Sequence, residues 1–201
     1  MKWIITISAI LLFALAGCGK DKQSTNELIT VDVTKNYPEK ELTLQDFMDV
    51  EYIPLETNDE FVTQGKVMAI GAEVILITNW ANDGNLFVFD RKTGKALKKI
   101  NRKGQGGEEY IGITEIVLDE ANKEIFVIAY TGSKISVYDL DGNFKRSFKA
   151  AGTESHVNTF NYDRENLISY VPDNSLENPS NAIPPYYLIF SKQDGSITRK
   201  I

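Results

Sequence analysis

The stretch NLFVFDRKTGKALKKINRKGQGGEEY, residues 85–110, decides the fold. Its β-branched and aromatic run, its Asp-Arg-Lys-Thr-Gly turn and its alternating ALKKI segment predict strand, tight turn and strand, followed by a glycine-rich exit loop. The same signal returns at residues 137–148 and 189–201. Its turn glycine recurs at intervals of 48 and 53 residues, at Gly94, Gly142 and Gly195. This spacing predicts a repeat architecture.

Outward from this stretch, the chain from residue 61 divides into three units of four predicted strands. Clusters of Gly, Asn and Asp recur about every 8–12 residues, and no window keeps a helical apolar stripe for three turns. The predicted strands are 65–70, 74–78, 86–90 and 96–100, then 113–118, 124–129, 135–138 and 144–148, then 158–163, 167–171, 186–191 and 197–201. Antiparallel four-stranded units at this period are typical of β-propeller blades, so the predicted fold class is all-β.

The residues before the three units carry weaker signals. Leu28–Val33 alternates apolar and polar side chains, which predicts a strand. Thr43, followed three residues later by Asp46, is the signature of a short capped helix. Residues 50–55, VEYIPL, are predicted to be extended. Because Pro54 cannot donate a hydrogen bond to a ladder, it places that strand at an edge or at a beginning.

The first 17 residues are typical of a secretory signal peptide. A basic start precedes the uncharged run Trp3–Ala16, which is too short to cross a hydrocarbon layer of about 30 Å as a helix. The sequence LAGC, ending at Cys18, resembles the lipobox of bacterial lipoprotein signal peptides. The resemblance implies cleavage before Cys18 and lipidation of its thiol; an ordinary signal peptide followed by a cysteine is the alternative. Residues 18–27 are polar and predict a flexible tether.

Composition excludes several classes of function. The formal net charge is −6, and removing residues 1–17 takes away one lysine and no acid, leaving −7. An acidic chain without a basic face disfavours nucleic-acid binding. The single cysteine excludes an intramolecular disulfide, and the single histidine argues against His-cluster metal sites. We therefore expect no metal, no cofactor and no nucleic-acid partner.

Four segments together resemble a known family. They are VEYIPLET (50–57), VFDRKTGK (88–95), NRKGQGGEEY (101–110) and VYDLDGNF (137–144). They are similar to segments of the six-bladed β-propeller lipoproteins, whose blades resemble NHL repeats. The resemblance covers residues 28–150 well and the third unit loosely. The family's Gly-Pro-Gly-Glu-Tyr exit lacks its proline here, where residues 106–110 are GGEEY.

The length of this sequence does not match six blades. Six blades of about 50 residues need roughly 300 residues, whereas residues 28–201 have room for three. We therefore expect a partial propeller with a bare blade face at each end, completed by a second half-propeller or by another copy. A small β-sandwich or open sheet of about twelve strands is the alternative fold.

The loops suggest where a ligand binds. In antiparallel blades, the 2→3 and 4→1 loops emerge at one end, and here they are the longer loops. Because function concentrates in long loops on a rigid scaffold, we predict ligand binding at this long-loop end. The predicted ligand-binding residues are Trp80, Arg102, Glu108, Glu109, Tyr110 and Tyr130. A glycan, a peptide or a protein is the expected ligand.

Other motifs favour structural roles over chemistry. The glycine-rich loop at 104–107 lacks the Lys-Ser/Thr of a phosphate loop. The string DLDGN at 139–143 lacks the ligand spacing of a calcium loop, and its aspartates, like Asp90 and Asp194, are expected to cap their own turns. A binding module is thus the expected function. A channel-centred hydrolase or lyase and a non-functional remnant of a longer propeller are the alternatives. Gly19 after the lipidated position implies, by resemblance, the outer membrane.

Overall fold

The structure is a computed structural model, and it describes residues 30–129, 134–149, 157–172 and 184–201. The chain divides into two compact units at the junction of Val50 and Glu51. No helix among the described residues is long and apolar enough to cross a membrane. The predicted signal peptide and the tether, with Cys18, lie outside the described residues.

The first unit contains one short 3₁₀ helix, Leu44–Asp46. The Thr43 backbone N–H donates to the Asp46 carboxylate at 2.8 Å, which confirms the predicted capping. The predicted strand over Leu28–Val33 is wrong across its described part, residues 30–33, where no strand forms. The Asp32 carboxylate instead accepts hydrogen bonds from the backbone and hydroxyl of Thr34, which turns the chain.

The second unit contains three antiparallel sheets of four strands, each in sequence order. Blade 1 comprises β1 Lys66–Ile70, β2 Val74–Thr78, β3 Asn85–Asp90 and β4 Ala96–Asn101. Blade 2 comprises β5 Glu115–Asp119, β6 Glu124–Ile128, β7 Lys134–Asp139 and β8 Phe144–Lys149. Blade 3 comprises β9 Val157–Asn161, β10 Asn166–Val171, β11 Tyr186–Ser191 and β12 Ile197–Lys200. The prediction of three four-stranded blades is confirmed, with strand ends displaced by one or two residues.

The predicted aspartate-capped turns also form. Asp90 accepts hydrogen bonds from the backbone N–H groups of Lys92 and Thr93, and Asp139 accepts them from Asp141 and Asn143. Asp141 itself caps no turn in this way; its carboxylate lies 3.3 Å from the Lys98 ammonium of the preceding blade. These turns fix the register of the hairpins they close.

The core forms between blades because the middle strands are apolar on both faces. In β2, Leu76 points toward blade 2, whereas Ile75 and Ile77 point away from it, as the two-residue period of a strand requires. We call the face toward the next blade the following face and the opposite one the preceding face. The blade 1–blade 2 core contains Val74, Leu76, Leu86, Val88, Ile100, Tyr110, Ile113, Ile116, Ile125, Val127 and Tyr138. The blade 2–blade 3 core contains Val117, Phe126, Ile128, Ile135, Val137, Phe148, Leu167, Val171, Leu188 and Phe190.

The preceding face of blade 1 is covered by the chain that leads into it. Phe61 is buried against Phe87 and Phe89, and Ile53 and Leu55 pack on the same cluster. The expected bare face at this end is therefore covered over β2, β3 and β4, whereas Val67 and Ile70 of β1 on the same face stay more than half exposed. Residues 51–64 form no strand, so the predicted strand over VEYIPL is also wrong within the second unit.

Carboxylates join neighbouring blades through backbone groups. Glu120, in the β5–β6 turn of blade 2, accepts hydrogen bonds from Ala72, Glu73 and Val74 of blade 1, at 2.6, 2.8 and 3.2 Å. Burial alone would raise the pKa of Glu120, but these three donors outweigh it and hold the pKa below its ordinary value of 4.5. The carboxylate therefore stabilises the joint between blades only while it is ionised.

We expect Glu120→Gln to lower the free energy of unfolding by about 1–2 kcal/mol at pH 7, the lower part of the range for hydrogen bonds to a charged group, because solvent screens this half-buried carboxylate. Because the folded-state pKa is depressed, this stabilisation is complete above about pH 4.5 and disappears as the pH falls through the folded-state value. Urea denaturation from pH 7 to pH 3 measures it. Glu60→Gln, at an exposed position, is the control. A loss of stability in Glu120→Gln that is the same at every pH would contradict a role for the ionised carboxylate.

Candidate functional site

The first strands of the three blades, β1, β5 and β9, line one open groove of about 650 Å³. We call it the inner-strand groove. Each of these strands pairs on one edge only, with the second strand of its own blade. The other edge has no strand partner among the described residues, so backbone donors and acceptors face the groove. A concave wall with both apolar side chains and polar backbone groups is typical of a ligand site.

Three apolar side chains of the groove are more than half exposed: Val67 and Ile70 of β1 and Phe160 of β9. Exposed large apolar side chains are ordinary when scattered, but grouped in a concavity they indicate a contact surface. The prediction of long-loop binding residues did not include any of them. Val67 and Ile70 share a face of blade 1 with their cross-strand partners Ile77 and Ile75, through an irregularity in β1 that alternation does not predict. No sequence signal shows that these positions border an open groove.

Glu115 fixes the wall of the groove between blades 2 and 3. Its carboxylate accepts hydrogen bonds from the backbone N–H groups of Asn158 and Thr159, at 2.7 and 3.0 Å. Asn158 has a positive φ of 54°, a conformation in which asparagine is several-fold enriched. The Asn161 amide donates to the Leu118 carbonyl at 2.5 Å. These side chains therefore set the spacing of β5 and β9.

Trp80 is one of the predicted binding residues that the structure leaves exposed. It follows β2, its side chain is 70% exposed, and the Lys66 ammonium lies 5.2 Å from its ring centroid. Lys66 is the first residue of β1 and directly precedes Val67, the first groove-lining residue of that strand. Gln64 supports the turn by accepting a hydrogen bond from the Ala81 backbone N–H at 3.1 Å. An exposed aromatic ring beside a cation can stack on a planar or apolar ligand group.

Tyr110 has a structural role. It is buried, and its hydroxyl donates to the Gly84 carbonyl at 2.7 Å and accepts from the Arg102 backbone N–H at 3.0 Å. Its ring meets Tyr138 edge-on, with centroids 5.8 Å apart. Burial is the main cause that raises the pKa of Tyr110, and it raises the pKa of Tyr138 to about 12. Both phenols therefore act as neutral groups that hold the loop between blades 1 and 2.

The other predicted residues of that loop also bond within the protein. Arg102 Nε donates to the Gly142 carbonyl at 3.1 Å, and Glu109 accepts a hydrogen bond from the Gly106 backbone N–H at 2.8 Å. Glu108 is exposed, and its carbonyl accepts from the Tyr138 hydroxyl. Ligand binding by Arg102, Glu108 and Glu109 stays a prediction.

Lys134 is a structural cation that the sequence did not indicate. Its ammonium donates to three carbonyl oxygens of the same loop, those of Gly106, Gly107 and Glu109, at 3.3, 2.9 and 2.8 Å. A carbonyl cage of this kind depends on backbone path, which side-chain identity does not reveal. Tyr130, also predicted to bind ligand, lies outside the described residues.

The described residues contain no group of three or more His, Cys, Asp or Glu that could hold a metal ion. Their strongest charge clusters join blades. Arg146 binds Glu124 of its own blade through two nitrogens at 2.8 and 2.7 Å and donates to the Lys192 carbonyl of blade 3 at 3.1 and 2.8 Å. Lys192 in turn binds Asp119 of blade 2 at 2.6 Å. These groups neutralise one another, and nothing in the described site favours hydrolase or lyase chemistry.

Comparison with known proteins supports the architecture. A family model described as a 6-bladed beta-propeller matches residues 19–201. Among solved structures, the chain is similar to a protein of Bacteroides fragilis NCTC 9343 described as a "Putative exported protein (BF0058)". The identity is 20%, the TM-score is 0.57, and the match covers 81% of this chain and 44% of that one. This chain thus spans less than half of that protein's length, and the likeness shows the fold alone.

A second similar structure is the computationally designed Ika4 protein, with 16% identity and a TM-score of 0.43. That match covers 77% of this chain and 80% of the designed one. A comparison with curated protein sequences finds no match.

Proposed function

Because this chain belongs to the six-bladed β-propeller family, we propose that it is an exported, lipid-anchored binding module whose ligand lies in the inner-strand groove. The observation that carries the proposal is the exposure of Val67, Ile70 and Phe160, all of which border this groove. Trp80, beside Lys66 at the start of β1, adds a stacking surface. A rigid scaffold that presents an open groove suits binding.

A peptide with apolar side chains is the ligand class that these features favour. The groove edge of β1 has no strand partner among the described residues and can hydrogen-bond an extended backbone. On the facing edges of β5 and β9, the Leu118 carbonyl and the Asn158 and Thr159 amides are already bonded within the protein. The aliphatic and aromatic side chains beside them can receive alternate side chains of that peptide. Specificity then depends on the spacing of the three blades, which Glu115 and Glu120 fix.

A panel of fluorescein-labelled hexapeptides, with and without apolar side chains, tests this function by fluorescence anisotropy. We expect saturable binding of apolar peptides and at least a tenfold weaker affinity in Phe160→Asp and in Ile70→Asp. Tyr162→Asp and Val62→Asp, at exposed positions outside the groove, are the matched controls. Equal losses in the controls, or binding of no apolar peptide, contradict the proposal.

Export and lipid anchoring complete the proposed function. The signal-peptide pattern and the exported description of the similar Bacteroides fragilis protein support an envelope location. The lipobox resemblance at Cys18 supports an outer-membrane lipoprotein. Several acyl chains give stable anchoring, whereas one chain binds a bilayer only marginally.

We expect Cys18→Ala to move the protein from the membrane fraction to the soluble fraction, because the thiol that carries the lipid is lost. Fractionation of cells followed by immunoblotting measures the distribution. Metabolic labelling with a palmitate analogue provides the second readout, and it should label the natural chain alone. Continued membrane retention of the unlabelled variant would refute lipid anchoring as the cause of localisation.

A further inference from the structure

The loop between β2 and β3, residues 79–84, is fixed on both sides of Trp80. Before the indole, the Asn79 side-chain oxygen accepts a hydrogen bond from the Gln64 backbone N–H at 2.8 Å. After it, the Ala81 backbone N–H donates to the Gln64 side-chain oxygen at 3.1 Å. The two residues that flank Trp80 are therefore tied to the same neighbour, which restrains the backbone that carries the ring.

The rest of this loop is held by the strand that follows it and by the connection into blade 2. The Asp83 carboxylate accepts a hydrogen bond from the Asn85 backbone N–H at 2.9 Å. The Asn82 carbonyl accepts one from the Lys103 ammonium at 2.7 Å, and its side-chain oxygen accepts one from the Ile113 backbone N–H at 2.9 Å. Asn82 also has a positive φ of 50°, a backbone conformation that persists where the surroundings fix it. The loop is therefore a rigid support.

Trp80 differs from the rest of the loop because its side chain is turned to solvent. The indole belongs to none of the three hydrophobic clusters and is mostly exposed. Within the described ranges, no hydrogen bond involves its N–H group. A large aromatic ring that a rigid loop holds in solvent is a preorganised contact surface, because little conformational freedom is lost when a ligand stacks on it.

Three hydrogen-bond donors lie at Trp80 or next to it. The first is the indole N–H itself, and the second is the Lys66 ammonium, 5.2 Å from the ring centroid. The third is the side-chain nitrogen of Gln64, which the hydrogen bond from Ala81 holds beside the Trp80 backbone. A flat apolar surface with donors around it suits a pyranose sugar, since a sugar ring presents C–H groups on its face and hydroxyl oxygens along its edge.

The chemistry around Trp80 differs from that of the inner-strand groove. The exposed large side chains of the groove are apolar, whereas the residues that hold or border the indole, Gln64, Lys66 and Asn79, are polar. Neither Trp80 nor these three residues line the groove. A ligand that carries phosphate is disfavoured by the formal net charge of −6. The ring is therefore suited to an uncharged polar ligand with one apolar face.

We propose that Trp80, with Lys66 and Gln64, forms a glycan-binding site in which a pyranose ring stacks on the indole. The Lys66 ammonium lies over one face of the ring, so the sugar stacks on the opposite face. Hydroxyl oxygens of the sugar accept hydrogen bonds from the indole N–H and from the Gln64 side-chain nitrogen. This site is additional to the proposed function and does not depend on peptide binding in the groove.

Saturation-transfer NMR tests the site with the lipid-free chain, residues 19–201, and with cellohexaose and chitohexaose as probes. We expect saturation to reach the axial C–H protons of one ring face in at least one of the two sugars, because that face contacts the indole. Sorbitol is the control probe, since it has comparable hydroxyl groups but no ring, and it should receive no saturation. Transfer to neither sugar, or equal transfer to sorbitol, overturns the proposal.

Two substitutions at Trp80 identify the contact. We expect Trp80→Ala to weaken sugar binding about tenfold, the effect of losing one aromatic stack. Trp80→Phe keeps a stacking ring and should weaken binding at most about threefold. Tyr162→Ala, which removes another exposed aromatic side chain, is the matched control and should bind the sugar as the natural chain does. Equal binding by Trp80→Ala and the natural chain, or an equal loss in Tyr162→Ala, overturns the proposal.

The emission of Trp80 gives a second reading that does not depend on the folding of a variant. Trp80 is the sole tryptophan of residues 19–201. We expect its emission to change saturably with the sugar that receives saturation and to stay constant with sorbitol. A sugar that binds while the emission stays constant lies elsewhere on the protein, and that result would overturn the proposal.

Discussion

Replacing Lys192 with methionine is expected to lower the free energy of unfolding by about 3–5 kcal/mol, the cost of leaving a buried charge without its partner. The Lys192 ammonium and the Asp119 carboxylate lie 2.6 Å apart, and both side chains are almost fully buried. The ammonium also donates to the Asp163 carbonyl at 2.7 Å. Lys192→Met therefore removes a joint between blades 2 and 3 and leaves Asp119 as an uncompensated anion.

Urea denaturation of the lipid-free protein measures this loss. The double variant Lys192→Met, Asp119→Asn removes both charges, and we expect it to recover at least half of the stability. Lys98→Met is the matched control, because Lys98 forms an exposed pair with Asp141 that contributes at most about 1 kcal/mol. A loss in Lys192→Met no larger than in Lys98→Met would contradict the buried-pair account.

Gly195→Ala is expected to lower the free energy of unfolding by about 3 kcal/mol. Its φ of +74° costs an alanine about 1–2 kcal/mol. The added Cβ would also meet the Lys149 carbonyl and the Phe148 ring, and the resulting shift of backbone adds about 1–3 kcal/mol.

Gly65→Ala separates the two causes. Gly65 has nearly the same φ, +73°, but nothing lies within 4 Å of an added Cβ. We expect this control to lose only the conformational cost, about 1–2 kcal/mol. Chemical denaturation of both variants side by side measures the difference. Equal losses would mean that a Cβ at Gly195 fits against Phe148 and Lys149, which would contradict the close packing of this turn on blade 2.

The fold was predictable because the strand signals are local. Alternating apolar residues and Asp–Gly turns occur within each hairpin, so Asn85–Asp90 and Ala96–Asn101 were predicted to within a residue. Residues 51–55 show the limit of such reasoning. Their extended pattern is visible in sequence, but their role depends on contacts with Gly94, about forty residues away.

The candidate site was predictable only in part. Trp80 is exposed as expected, since a tryptophan in a polar turn has few apolar neighbours in sequence. Tyr110 occurs in an equally polar loop, yet the loop folds back and buries it between two blades. Phe160 was missed because alternation gives the face of a strand and leaves open what lies opposite that face. Burial of this kind is decided by tertiary packing.

The emission of Trp80 tests the central claim, that ligand binds in the inner-strand groove, most directly. The chain has two tryptophans, Trp3 and Trp80, so a lipid-free protein that begins at residue 19 has a single reporter, whose ring lies beside Lys66 at the start of β1. We expect a saturable change in Trp80 emission at the same peptide concentrations that raise the anisotropy of the labelled peptide. The same change should be absent in Phe160→Asp and retained in Tyr162→Asp. An apolar peptide that binds while Trp80 emission stays constant, or that binds Phe160→Asp equally well, would contradict it.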